Sequence, residues 1–270
     1  MTAPVGSLEP MAREIRRIVL EQSHRAGVGH IGSALCVADI VAALYGGVLA
    51  AVDPGDDDRD RVVISKGHAV LAVYAALLLR GWIDQDDLGT FCGDGTLLGV
   101  HPDVALPGID FSTGSLGQGL SLATGAALAG RLQGSERRAF ALLSDAECNE
   151  GAVWEAVMFA AHHRLGNLVA VVDLNGQQAL GRTEQVLSLD PLAERWRAFG
   201  WDVHEVDGHD AAGLADTLGG LDPRSDAPHV LVARTVFAKG VSFMEGQLGW
   251  HYWPLSDSQF LQALDEVTAR

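Results

Sequence analysis

The chain has 270 residues, a formal net charge of −16, and 48% hydrophobic residues. This length suits one α/β domain with a sizeable core, and the negative charge argues against nucleic-acid or anionic-membrane partners, which need clustered Lys and Arg. The N-terminus lacks the basic and apolar pattern of a secretory signal, and no run of about eighteen apolar residues occurs, so we expect a soluble, cytoplasmic protein.

Apolar patterning predicts alternating helices and strands along the chain. In chain order, the predicted elements are helices over 12–25 and 36–50, a strand over 61–64, a helix over 70–80, a glycine-rich loop over 93–108, a helix over 116–132, a strand over 139–143, a helix over 153–164, a strand over 168–172 and a last βα portion over 201–270. The runs over 139–143 and 168–172 lack polar alternation, which is typical of buried parallel strands. The sequence therefore predicts an α/β fold with a mainly parallel sheet.

Polar residues follow the two central strands at the points where we expect the strands to end. Asp145 lies in the segment Ser-Asp-Ala-Glu-Cys-Asn-Glu-Gly, and Asn175 lies in Asp-Leu-Asn-Gly-Gln. Open α/β sheets hold ligands at the carboxyl ends of their strands. With a main-chain carbonyl at Gln177, these oxygens could bind Mg²⁺ and leave room for a diphosphate. An N-cap at Asp145 and an ordinary Asn-Gly turn fit the same residues, so spacing alone leaves both interpretations open.

Four histidines lie within two residues of a glycine at the ends or turns of predicted elements: His30, His68, His101 and His251. Glycine allows close approach of a ligand, and imidazole both donates hydrogen bonds and exchanges protons near neutral pH. Other histidines lack such a motif and are interpreted as structural or surface residues: His24, His162, His163, His204 and His209.

Several short blocks occur in a fixed order with the Asp145 and Asn175 loops: 29–33 (Gly-His-Ile-Gly-Ser), 65–69 (Ser-Lys-Gly-His-Ala), 99–102 (Gly-Val-His-Pro), 112–119 (Ser-Thr-Gly-Ser-Leu-Gly-Gln-Gly) and 239–245 leading to Trp-His at 250–251. Together they resemble the signatures of the transketolase family over nearly all 270 residues. Five blocks in register are far more specific than any one of them.

The resemblance implies a three-layer α/β/α fold that binds thiamine diphosphate and Mg²⁺, with Ca²⁺ or Mn²⁺ as substitutes for Mg²⁺. It implies metal ligands at Asp145, Asn175 and Gln177 and catalytic histidines at His30, His101 and His251. The implied cofactor-binding residues are His68, Gly114, Leu116, Asp145, Ala146, Glu150, Asn175 and His251. Among these, Glu150 matches a carboxylate near the dimer interface that links two cofactor sites.

One departure lies in the metal motif itself. Where the family commonly has Gly-Asp-Gly, this chain has Ser144, Asp145 and Ala146. If position 146 needs a positive φ, alanine there costs about 1 kcal/mol or more, and its methyl group would approach the phosphates. The sequence therefore puts cofactor affinity in question while keeping the expected ligands.

Length also separates this chain from a full transketolase, which adds a pyrimidine-binding module and a third domain. The resemblance implies that residues 1–270 form one diphosphate-binding domain, inactive alone. A second subunit with the pyrimidine module and its catalytic glutamate would complete the site in an α2β2 heterotetramer. The expected reaction is transfer of a two-carbon ketol unit from a small ketose donor to an aldehyde or other carbonyl acceptor. Two alternatives are a subunit of a thiamine enzyme that decarboxylates a 2-oxo acid and a degenerate regulatory subunit.

Overall fold

The structure is a computed structural model that describes residues 8–49 and 53–269. Its α-helices are α1 (Leu8–Ala26), α2 (Ile31–Cys36), α3 (Ala38–Ala42), α4 (Val70–Leu79), α5 (Gln85–Leu88), α6 (Gly119–Leu132), α7 (Gly151–His162), α8 (Thr183–Val186), α9 (Leu192–Ala198), α10 (Ala211–Gly219) and α11 (Asp257–Thr268). The strands are β1 (Arg61–Ile64), β2 (Ala139–Ser144), β3 (Leu168–Leu174), β4 (Gln177–Gln178), β5 (Gly181–Arg182), β6 (Asp202–Asp207) and β7 (His229–Arg234). Within these ranges, no helix is both long and apolar enough to cross a bilayer.

Five of these strands form one parallel sheet in the order β1-β2-β3-β7-β6, and β4 and β5 form a small antiparallel hairpin. Strands β2 and β3 are neighbours in this sheet. Their pairing begins with Ala139 beside Leu168 and ends with Ser144 beside Asp173. Their carboxyl ends therefore lie next to each other, and the loops that carry Asp145 and Asn175 are neighbours.

Apolar side chains cover both faces of the sheet because successive residues of each strand point to opposite sides. On β2, Phe140 and Leu142 belong to one buried cluster, with residues of α1, α3, α4 and α10. On the other face, Ala141 and Leu143 belong to a second cluster, with residues of α6, α7 and α9. The expected three-layer α/β/α architecture is confirmed.

Two predicted helices differ from the structure for reasons that their packing explains. The segment predicted as one helix over 36–50 is interrupted at Val37, continues as α3 and widens into π-helical turns over Ala43–Val48; its predicted end at residue 50 lies outside the described residues. At Gly46, an added Cβ would lie 2.7 Å from Met11 Sδ, so the glycine lets α1 pack closely on this turn.

The helix predicted over 116–132 begins only at Gly119. Gly117 takes a positive φ of 86°, and the amide of Gly119 donates a hydrogen bond to Ser65 Oγ at 3.1 Å. The preceding residues therefore form a loop at the carboxyl end of β1 instead of a first helical turn.

Two glycines of α6 allow a matched test of this packing. At Gly119, an added Cβ would lie 2.6 Å from Ser65 Cα, whereas Gly125 has open space around the same position. We expect Gly119→Ala to lower the free energy of unfolding by about 1–3 kcal/mol through overpacking. Gly125→Ala should raise it by about 0.4–1 kcal/mol, because alanine reduces the entropy of the unfolded chain. Urea unfolding of both variants measures this, and equal effects would contradict the packing.

Candidate functional site

Asp145 lies directly after β2, where its carboxylate is buried. Its Oδ1 accepts a hydrogen bond from the amide of Ala146 at 2.8 Å, and its Oδ2 accepts one from the amide of Gly176 at 2.9 Å. Burial, followed by the nearby charge of Asp173, raises the pKa of Asp145 to about 7 despite these two donors. A bound cation would stabilise the charged carboxylate, so the environment fits a metal ligand.

Asn175 follows β3 and turns toward the same place. Its Nδ2 donates to Asp173 Oδ2 at 2.8 Å, and its Oδ1 accepts from the amide of Gln177 at 2.9 Å. An amide oxygen has two lone pairs, so Oδ1 can also bind a cation. The side chain of Gln177 donates to Gly246 O at 2.7 Å, while its buried Oε1 has no hydrogen-bond partner.

A cavity of about 450 Å³ opens beside Asp145 and Asn175. The loop that leads from α8 to α9 supplies much of its wall, including Leu187 and Pro191. The metal-ligand candidates are therefore accessible from the surface at this end of the sheet.

A fully buried ion pair holds the loop after β1 against the end of β3. Lys66 Nζ lies 2.5 Å from Asp173 Oδ2, and the side chains are 1% and 0% exposed. Burial by itself would lower the pKa of Lys66 and raise that of Asp173. The charge of the partner outweighs burial in both cases, so the pKa of Lys66 is raised and that of Asp173 is lowered from their ordinary values. Thr235 Oγ1 and Cys36 Sγ also donate to Asp173. Both charged groups therefore stay ionised in the interior.

A third buried carboxylate, Glu147, connects three loops. It accepts hydrogen bonds from Ser65 Oγ, from the amide of Gly117 at 2.7 Å and from the amide of Ser144 at 3.3 Å. Burial is the main reason that its pKa is raised, although these donors oppose the shift. Glu147 thus fixes the loop of Gly114 and Leu116 beside the metal-ligand loop.

Three of the predicted histidines form a compact cluster. The ring centroids of His30, His68 and His251 are separated by 5.3–5.4 Å for each pair. His30 takes a left-handed backbone with φ of 62°, and its buried Nδ1 has no hydrogen-bond partner. Such strain in a residue other than glycine is typical of functional sites.

The fourth histidine, His101, lies next to this cluster on the glycine-rich loop. A Cβ added at Gly67 or Gly114 would lie 3.1 or 3.0 Å from His101 Cδ2, so the ring rests directly on these two main-chain segments. The carbonyl of His101 accepts a hydrogen bond from Tyr74 Oη at 3.1 Å. Sequence-predicted histidines from four separate segments therefore meet at one place.

The clustered histidines are neutral at physiological pH. Burial, followed by the charge of Lys66, lowers the pKa of His68 to about 2, and burial, followed by His30, lowers that of His251 to about 4. Burial also lowers the pKa of His30, with His101 adding to the effect. A neutral imidazole has one donor and one acceptor nitrogen, which suits binding of hydroxyl groups.

Ala146 causes no backbone strain. It begins the 3-10 turn Ala146–Asn149 and is absent from the residues with positive φ. The conformational cost expected for alanine at a positive φ therefore does not apply here.

Two other predicted cofactor contacts differ in exposure. Leu116 is half-buried beside the site, whereas Glu150 is exposed at the start of α7 and makes no side-chain cap.

Comparison with known proteins now identifies the arrangement. Residues 8–267 match the family described as transketolase, thiamine diphosphate binding domain. The chain belongs to the transketolase family. A strongly similar relative is an apulose-4-phosphate transketolase subunit of Phocaeicola vulgatus, 37% identical over 98% of this chain and 95% of its own length. A second is a 6-deoxy-6-sulfo-D-fructose transketolase subunit of a Clostridium species, 38% identical over 96% of both chains.

The solved transketolases show the same fold. The transketolase of Campylobacter jejuni superposes with a TM-score of 0.88 and 27% identity over 99% of this chain. That superposition spans 43% of the length of the C. jejuni chain. The chain therefore corresponds to a part of those transketolases, but to nearly the whole of the two subunit-type relatives.

Sequence reasoning missed the three buried charged residues Lys66, Asp173 and Glu147. Lys66 and Asp173 both lie within segments that resemble transketolase motifs, but they are 107 residues apart in the chain, so a local pattern does not show that they pair. The available signal was a lysine and an acid at the carboxyl ends of apolar strands, because such residues are rarely buried without a partner.

The two lysines of the chain allow a matched test of the buried pair. Lys66→Met should lower the free energy of unfolding by about 3–5 kcal/mol, because it leaves the Asp173 charge buried and unpaired. Lys239→Met removes a partly exposed pair with Glu245 at 3.6 Å and should change it by about 1 kcal/mol or less. Adding Asp173→Asn to Lys66→Met should recover part of the loss. Urea unfolding measures all three, and similar effects for the two lysines would contradict the assignment.

The lowered histidine pKa values predict a pH-dependent stability. Below the ordinary histidine pKa of about 6.5, the unfolded chain binds protons that folded His68 and His251 do not, so their contribution to stability decreases as the pH falls. Asp145 has a raised pKa and acts in the opposite direction over this range. The free energy of unfolding should therefore be compared between wild type and a His68→Asn/His251→Asn variant from about pH 7.5 to 5.5. Because the variant lacks the two histidines, its stability should fall less than that of wild type as the pH decreases. An unchanged pH slope in the variant would contradict neutral histidines.

Proposed function

We propose that this chain is the diphosphate-binding subunit of a two-subunit transketolase that transfers a two-carbon ketol unit from a ketose donor to an aldehyde or other carbonyl acceptor. One observation carries the proposal. The buried Lys66–Asp173 pair joins the carboxylate-amide site of Asp145 and Asn175 to a cluster of neutral histidines. Oxygen ligands for a cation and hydroxyl-binding groups for a sugar thus belong to one assembly.

Asp145, Asn175 and the main-chain carbonyl of Gln177 would bind Mg²⁺, for which Mn²⁺ or Ca²⁺ can substitute. The raised pKa of the buried Asp145 carboxyl supports this role, because a cation would favour its charged form. When bound, thiamine diphosphate supplies the carbon nucleophile that accepts the ketol unit. The proposed further contacts to the cofactor come from His68, Gly114, Leu116, Ala146, Glu150 and His251.

His30, His101 and His251 are proposed to contact substrate oxygens. Because burial keeps His30 and His251 neutral, each ring can donate one hydrogen bond and accept another. It can also take a proton from a hydroxyl group, or return one, without first losing a proton to solvent. The side chains that face the sugar would thus position it and move protons.

A partner subunit is proposed to supply the pyrimidine module and its catalytic glutamate in an α2β2 heterotetramer. The similar relatives of nearly equal length have the word subunit in their names. Exposed apolar side chains near the site, Leu180 on the β4–β5 hairpin and Leu187 on the cavity wall, suit a covering partner. We also place the enzyme in the cytoplasm, where reducing conditions suit its three free cysteines.

The aromatic segment after His251 is proposed to shape the substrate entrance. The Tyr252 ring lies 5.2 Å from that of His251 and 6.4 Å from that of His30, and its hydroxyl donates to Ala179 O at 3.2 Å. The relatives are named for a phosphorylated sugar and a sulfonated sugar. We therefore infer that this chain acts on a ketose donor with an anionic group.

Native mass spectrometry of the complex isolated from its own cells, with thiamine diphosphate and Mg²⁺ present, tests the function. We expect an assembly that holds both the cofactor and a second subunit, whereas the isolated chain should transfer no ketol unit. Asp145→Asn should leave the assembly intact and weaken cofactor binding by at least about 100-fold, the upper range for losing an outer-shell metal contact. Glu184→Gln, at an exposed acid on the same cavity wall, is the control. Full cofactor binding by Asp145→Asn would overturn the metal assignment, and a cofactor-free chain without partner would favour the regulatory alternative.

Tyr252→Leu in the assembled enzyme should change the ratio of kcat/KM between ketose donors by about 10-fold or more, the range for altered pocket contacts. The expected reason is the loss of a rigid ring beside His30 and His251. Phe199→Leu, at a partly exposed aromatic residue that packs on Trp154, is the control. Initial rates with a panel of donors measure the ratio, and an unchanged donor preference would remove Tyr252 from the entrance.

A further inference from the structure

A second group of potential metal ligands lies at the opposite edge of the sheet. Asp202 and His229 occupy the first positions of β6 and β7 and pair in register. His204 lies two residues after Asp202, on the same face of β6. These strands run parallel, so the group is about 17 Å, or five strand residues, from their carboxyl ends. It is therefore separate from the site of Asp145 and Asn175.

The three side chains converge on one point. Both His204 Nε2 and His229 Nδ1 lie 3.2 Å from Asp202 Oδ2. All three ligand atoms lie within 4.8 Å of one another. Ligand atoms around a tetrahedral Zn²⁺ with bonds of about 2.0–2.1 Å are separated by about 3.3 Å. Two of the three separations therefore already match a metal site.

The hydrogen bonds of His229 orient its free lone pair toward this point. Its Nε2 lies 3.1 Å from the carbonyl oxygen of Asp222, which can only accept, so Nε2 has the proton. In the neutral ring, Nδ1 then presents a lone pair to the carboxylate of Asp202. A carbonyl that holds the outer nitrogen of a histidine in this way is the usual second contact of a metal ligand.

His204 provides the second sign that a cation belongs here. Its Nε2 is buried and has no hydrogen-bond partner, although Asp202 Oδ2 is close. A proton on His229 Nδ1 would satisfy the contact between His229 and Asp202 and would leave His204 Nε2 without a partner. A single metal ion would satisfy all three atoms.

We propose that Asp202, His204 and His229 bind a divalent transition-metal ion, with Zn²⁺ the best match. Two imidazole nitrogens and one carboxylate oxygen favour Zn²⁺ over Mg²⁺, which prefers oxygen ligands. The carboxylate of Asp202 is half-exposed, so water can fill the fourth position. The ion would join edge strand β6 to β7 and to the loop of Asp222, and this role is independent of the proposed transketolase activity.

Equilibrium dialysis of the assembled complex against Zn²⁺, with saturating Mg²⁺ and thiamine diphosphate, tests the site. His204→Gln and Asp202→Asn are the test variants, because these residues are partly exposed whereas His229 is buried in the sheet. We expect each variant to bind one equivalent of Zn²⁺ per chain less than wild type. Zn²⁺ should also raise the Tm of wild type and have a smaller effect on both variants.

Two controls separate this site from others. His24→Gln removes a histidine that pairs with Asp257 at 2.9 Å but belongs to no group of three potential ligands among the described residues, and it should bind Zn²⁺ like wild type. Asp145→Asn should also retain the Zn²⁺ equivalent, because the Mg²⁺ ligands lie at the other end of the sheet. Equal Zn²⁺ binding by His204→Gln and wild type would overturn the proposal, as would loss of the equivalent in Asp145→Asn.

Discussion

The buried ion pair between Lys66 and Asp173 is the interaction on which the rest of the site depends. Burying two charges is expensive unless they are paired and hydrogen-bonded, and here Thr235, Cys36 and Asn175 complete the bonding of Asp173. His68 follows Lys66 by two residues, and Asn175 follows Asp173 by two. One interaction therefore positions both a histidine of the cluster and a metal-ligand candidate.

The positive charge of Lys66 also affects the pKa values of the groups around it. In a chain with net charge −16, Lys66 provides a local positive charge at the carboxyl edge of the sheet. It lowers the pKa values of His68 and His251, after burial, and offsets part of the raised pKa of Asp145. The edge thus combines neutral hydrogen-bonding rings with a carboxylate that a cation would stabilise, before any ligand binds.

Much of the fold follows from the sequence, because buried parallel strands give continuous apolar runs. The strand over Arg61–Ile64 and the βαβ unit around Asp145 match their predicted positions. Local patterns did not show the close packing of α1 on Gly46 or the late start of α6, since these depend on contacts with Met11 and with Ser65. The Lys66–Asp173 pair and the convergence of Asp202 with His229 were also hidden, because they join residues that are distant in the chain. Ala146 shows the converse: the sequence raised the question of backbone strain at this alanine, and only the backbone angle could answer it. The approach of its methyl group to the phosphates stays a prediction.

The most direct test of the account is the location of the metal. Crystals of the assembled complex with thiamine diphosphate and Mn²⁺ would show the metal by anomalous scattering. We predict one peak within about 2–2.3 Å of the Asp145 carboxylate and of Asn175 Oδ1, typical of small divalent cations with oxygen ligands, with the diphosphate bound to it. A bound cofactor whose metal is held by other residues would contradict the assignment of this sheet edge as the cofactor site.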